Sequence, residues 1–197
     1  MPGDVYDYAP PAFVRWTETF WSLHGPTFDR DQSGLELGSY RGETLLRVAP
    51  FIGRMTGLET SPEDAAEARR RCAKKPGLDP RGWSGLAIPF PDAHFDLVFV
   101  DWARPGFVPR APEVLLAEAR RVLKADGRFL ALALRDTDEA RSLRDAWTDR
   151  LVELGAVIDE LPPLKTADGL RAELAAAGFE PKIETLGPEL FEIQGDV

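Results

Sequence analysis

Cysteine is almost missing from this chain. Cys72 is the only one among 197 residues, which excludes an intrachain disulfide and a thiolate metal cluster. Basic charge is also short: 24 Lys and Arg face 33 Asp and Glu, a formal net charge of −9. Such a balance argues against a nucleic-acid backbone as partner, because phosphate binding needs clustered cations. The one basic cluster, Arg69-Arg70-Arg71 with Lys74 and Lys75, suits the solvated last turns of a helix, where cations complement the dipole. No apolar run approaches the roughly 18 residues of a membrane span. Residues 1–15 hold neither the apolar nor the charged region of a signal peptide. There is no internal repeat and no low-complexity tract. The expectation is a cytoplasmic protein with no membrane and no nucleic-acid partner, a monomer or a homodimer.

What is present is ordinary for a globular chain, 44% hydrophobic and 29% charged. The length suits one domain, residues 1–197, able to bury a proper core. The stretch that organises it is Gly34-Leu-Glu-Leu-Gly-Ser-Tyr-Arg-Gly-Glu-Thr-Leu-Leu46. Leu35 and Leu37 read as a short buried strand, Gly38 and Gly42 punctuate a turn, and Leu45, Leu46 and Val48 begin a helical face. Glycine accepts positive φ and lets a ligand approach the backbone. In open α/β sheets that crevice, beyond the carboxyl ends of the strands, is where ligands bind. Glu36 stands two residues before the turn, where a carboxylate suits a ligand carrying a cation and hydroxyls better than a pyrophosphate.

The dinucleotide fingerprint G-x-G-x-x-G is not there. Gly38, Tyr40 and Gly42 give G-x-Y-x-G, with a ring where a phosphate-cradling glycine would sit. The pattern E-x-G-x-Y-x-G resembles the first motif of class I S-adenosylmethionine-dependent methyltransferases, in the aromatic-centred version of the catechol and caffeoyl-CoA O-methyltransferase type. Further along, Pro89-Phe-Pro-Asp92, Phe95-Asp-Leu-Val98 and Arg121-Val-Leu-Lys-Ala-Asp-Gly127 are similar to the later motifs of that family, in order and spacing over residues 34–134. Ala125 and Asp126 replace the proline and first glycine of the last one.

The resemblance implies a Rossmann-like α/β three-layer sandwich: a mostly parallel seven-stranded sheet with an antiparallel edge strand. It implies S-adenosylmethionine as cofactor, held by Glu36, Gly38, Ser39, Tyr40, Gly42, Glu59, Thr60, the Ser84–Gly85–Leu86 segment and Asp101. Glu59 would take the ribose hydroxyls, since one carboxylate accepts two such bonds. Ser84 stands where the family has an acid for the adenine amino group. Asp101 is the candidate base by position, and His24 by chemistry, its ordinary pKa lying near 6.5; His94 sits in a turn and reads as solvated. Metal-dependent relatives use an Asp-Asn pair after the fifth strand, but Ala133 and Leu134 fall there and cannot ligate a hard cation. No catalytic metal is expected.

Along the rest of the chain, residues 1–33 suggest a helical cap with a stripe of Phe13, Trp16, Phe20 and Leu23. Strands are expected at 54–59, 83–88, 95–100 and 128–134, with 76–82 as a turn-rich connection. A helix from Pro109 is expected to stop at Gly127 as its C-cap. Residues 138–164 form a possible substrate-cap insertion, making Trp147 a candidate substrate residue alongside Trp102. Residues 166–197 supply the last helix and an antiparallel pair. The reading is an S-adenosylmethionine-dependent methyltransferase with a small-molecule acceptor. Two alternatives stand beside it: a catalytically inactive methyltransferase-like binding or partner protein, and an NAD(P)-linked oxidoreductase.

Overall fold

The computed structural model describes residues 8–107, 111–158 and 160–197. The sheet that organises them is built on short apolar runs, such as residues 97–100 and 129–134, set between turn residues. Its strands are β1 (Ser33–Leu37), β2 (Arg54–Glu59), β3 (Leu78–Gly82), β4 (Phe95–Asp101), β5 (Leu123–Arg135), β6 (Leu164–Lys165), β7 (Glu180–Thr185) and β8 (Leu190–Asp196). The helices are α1 (Pro11–His24), α2 (Glu43–Val48), α3 (Pro62–Cys72), α4 (Pro112–Val122), α5 (Asp138–Glu153) and α6 (Ala167–Ala176), and a single 3-10 turn follows α1.

Seven strands run in the order β3-β2-β1-β4-β5-β8-β7, with the two-residue β6 paired to β5 beside them. Strands β1 to β5 are parallel, while β8 is antiparallel to both β5 and β7. The reversed strand is therefore second from the edge, and β7 itself closes the sheet. Each face carries its own apolar layer. One joins Phe13, Phe20, Leu45, Val48, Trp147 and Leu151 from α1, α2 and α5; the other joins Leu115, Ala119, Val122, Leu170 and Leu174 from α4 and α6. This is the expected three-layer Rossmann-like sandwich.

Several boundaries differ from expectation. The third strand is Leu78–Gly82, while Trp83 to His94 is the connection. Pro80 lies inside that strand, which is tolerated because β3 is an edge and its missing donor faces no partner. Helix α4 ends at Val122 and the chain extends at once into β5, so Gly127 is an irregular strand position, not a helix cap. In α1 the buried stripe is Phe13, Thr17, Phe20, Trp21 and His24, leaving Leu23 57% exposed. Trp16 takes part from the flank, donating its indole N–H to Glu189 at 3.2 Å.

Candidate functional site

Strand β1 is buried along its whole length, and its alternation sends Leu35 and Leu37 to the α4/α6 layer. Glu36 therefore points to the other face. Its sheet neighbours are Gly57 on β2 and Phe99 on β4. Glu59 and Asp101 stand two residues nearer the carboxyl ends on those two flanking strands. Period-two alternation puts all three carboxylates on one face. The strand order reverses at β1 and β4, the switch point at which open α/β sheets bind ligands.

The glycine turn is wound tightly. Gly38, Tyr40 and Gly42 all have positive φ, at 76°, 49° and 82°. For Tyr40 such a backbone costs about 1–2 kcal/mol, and Glu59 helps hold it: its Oε2 accepts the Tyr40 N–H at 2.6 Å while Oε1 accepts the Ser61 N–H at 2.9 Å. Leu58 O receives both the Gly38 and the Ser39 N–H. Gly57 is needed below, because a Cβ there would strike the Ser39 side chain. Glu59 is thus both a wall of the site and the anchor of its turn.

Two polar atoms are left over. Glu36 Oε2 and Ser39 Oγ are buried without a hydrogen-bond partner among the described residues. Burial pushes the Glu36 carboxyl up to about 8, against the opposing pull of Arg104 and a hydrogen bond from Thr44. Burial likewise raises the Tyr40 phenol, to about 12. Buried orphan acceptors beside a glycine turn fit a ligand that brings donors and positive charge, the chemistry of S-adenosylmethionine's amino-acid end.

Next to the turn opens a cleft of about 390 Å³, polar on the side of Tyr40, Glu59 and Thr60 and apolar on the side of Leu151, Ala156 and Ile158. Thr60 lines it. Ser84 and Leu86 are exposed outside its lining, and Gly85 lies beside the Thr60 methyl. Asp101 is 2% exposed and accepts the Ala103 N–H at 3.1 Å.

Three expected residues stand elsewhere. His24 is buried and shares a 2.7 Å hydrogen bond with Glu192, not with Asp101. Thr27, three residues on, is bonded by Arg128 from the early part of β5, so the end of α1 lies toward the opposite end of the sheet from the turn. Trp102 turns to the other layer and packs on Phe129, with ring centroids 5.9 Å apart. Trp147 is fully buried, its ring centroid 4.4 Å from that of Phe13, in the core layer with α1. The cleft-facing part of residues 138–164 is instead the end of α5 and the stretch after it.

Arg104 and Phe107 were not anticipated. The segment after β4 folds back so that Arg104, 2% exposed, donates to Gly38 O and lies over the Tyr40 ring at 5.1 Å. The Phe107 ring rests where a Cβ on Gly38 would be. The available signal was an arginine followed by the turn-forming Pro105-Gly106, immediately past a buried strand. Among the described residues, no three His, Cys, Asp or Glu side chains gather where they could hold a metal ion. No described helix is long and apolar enough to cross a membrane.

Residues 35–131 match the methyltransferase-domain family. An uncharacterized methyltransferase, YcgJ of Bacillus subtilis, is 33% identical over 98 residues, covering 49% of this chain and 38% of its own length. The chain spans 38%, 41% and 43% of the curated relatives it matches. In structure, a SAM-dependent methyltransferase from Aquifex aeolicus is similar at a TM-score of 0.71 and 15% identity, covering 97% of this chain and 95% of that one. The geranyl diphosphate C-methyltransferase of Streptomyces coelicolor, crystallised with Mg2+, geranyl diphosphate and S-adenosyl-L-homocysteine, gives 0.71 at 14% identity, over 93% of this chain and 80% of its own. Those likenesses carry the fold; the match from β1 into β5 carries the family. Through residues 35–131, the chain carries a methyltransferase domain, in the fold that solved S-adenosylmethionine-dependent methyltransferases share.

Proposed function

We propose that this chain transfers the methyl group of S-adenosylmethionine to a small-molecule acceptor, without a catalytic metal. The observation that carries the reading is the pair of unsatisfied buried acceptors, Glu36 Oε2 and Ser39 Oγ, at the glycine turn of the methyltransferase domain. S-adenosylmethionine supplies a methyl carbon activated by its sulfonium. The chain supplies position and dryness, which is most of what in-line displacement needs. Glu36 and Ser39 receive donors of the amino-acid end. Glu59, whose two oxygens have acceptor capacity beyond the turn's N–H groups, takes the ribose hydroxyls beside Thr60. The apolar wall of Leu151, Ala156 and Ile158 faces the acceptor and keeps water out.

A base is required only where the acceptor's proton is lost late. Asp101, at the carboxyl end of β4, is the group placed for it; His24, committed to Glu192, is the weaker candidate. That a methyltransferase of this fold is described with geranyl diphosphate supports a small-molecule acceptor. Calorimetric titration with S-adenosylmethionine and S-adenosylhomocysteine tests the reading. Micromolar binding of both upholds it. Preference for NAD(P)H, or no binding at millimolar ligand, overturns it.

A further inference from the structure

The cleft is open over only part of the row of carboxylates. Tyr40, Glu59 and Thr60 line it, whereas Glu36, Ser39 and Asp101 do not and are each 2% exposed or less. Against Glu36 and the turn lies the chain's own segment after β4. Arg104 brings a buried guanidinium to Gly38 O and the Tyr40 ring. Of the charges acting on Glu36 it is the leading positive one. Phe107 lays its ring on Gly38, the position at which a glycine turn would admit a ligand. Beside Arg104, Glu36 keeps one oxygen without a partner among the described residues, so the hollow is incompletely satisfied.

We propose that Arg104 is an internal plug, its guanidinium standing beside the Glu36 carboxyl where the cofactor's own cation is received, so that cofactor binding must displace it. The proposal rests on the cofactor reading above. It divides the ligand in two. The nucleoside end meets an open surface at Glu59 and Thr60; the amino-acid end meets a filled one. Apparent affinity is then lowered by the fraction of chains with the segment withdrawn. If that fraction is about 0.1–10%, a usual range for a minor state, the loss is about 10- to 1000-fold.

The test is calorimetry of the wild type, Arg104→Ala and Arg104→Lys with two ligands: S-adenosylhomocysteine, and 5′-methylthioadenosine, which lacks the amino-acid end. Arg104→Ala is expected to bind S-adenosylhomocysteine about tenfold tighter or better, with 5′-methylthioadenosine unchanged. Arg104→Lys, keeping a cation, stays near the wild type. Weaker binding of S-adenosylhomocysteine by Arg104→Ala would make Arg104 a ligand for the carboxylate and overturn the plug. An equal gain for both ligands overturns it too. Should the alanine variant fail to melt cooperatively, Arg104→Met keeps the bulk, loses the charge and gives the same comparison. If the wild type binds neither ligand, the cofactor reading falls and takes the plug with it.

Discussion

Glu36 holds its proton in the folded chain at pH values where the unfolded chain has lost it. Its carboxyl is raised from 4.5 to about 8, chiefly by burial. The stability it contributes is full below about pH 4.5 and is lost as the pH climbs through about 8. Glu36→Gln, which cannot ionise, should therefore melt higher than the wild type at the alkaline end and draw level toward pH 5; a constant gap across a pH series of melting curves would show that burial does not govern this group. Glu59 differs, because its carboxylate already accepts N–H groups from Tyr40 and Ser61. Glu59→Ala should weaken S-adenosylhomocysteine binding by about 1–3 kcal/mol and also lower stability, since Tyr40 loses the partner of its strained turn. Titration and urea unfolding on the same variant separate the two losses. The importance of Glu36 and Glu59 was legible from their distance to the glycines. Arg104 was not, because nothing local says that a segment after a strand folds back over a turn 66 residues earlier.

Among the elements, α3 and α5 begin on side-chain caps. Ser61 and Thr137 each cap a helix by accepting an N–H three residues on. Such short-range hydrogen bonds are properties of sequence alone. Ser61→Ala should cost about 1 kcal/mol, measurable by urea unfolding. The role of α5 was harder to read. Its stripe of Leu143, Trp147 and Leu151 fits a substrate cap and a core helix equally well, and packing against Phe13 of α1 decided for the core. Trp147→Ala should accordingly cost about 3–5 kcal/mol of stability. A variant that melts like the wild type but loses acceptor binding would restore the substrate role. Strand β3 was missed for another reason: Leu78-Asp-Pro-Arg-Gly82 has the composition of a turn, and only its place at the sheet edge makes it a strand.

For the molecule as a whole, ligand binding and stability are linked by mass action. S-adenosylhomocysteine at 100 times its dissociation constant should add about 2.7 kcal/mol of stability, a rise in melting temperature of roughly 5–10 °C for a domain of this size. No shift at any concentration would contradict the cofactor reading directly. The sequence by itself determined the class of fold, the turn and its acids, because strand alternation, helix caps and glycine spacing act over a few residues. Tertiary structure decided which carboxylate stays unsatisfied, which tryptophans face the core and what covers the turn. Those depend on contacts between residues far apart in the chain, which no local pattern encodes.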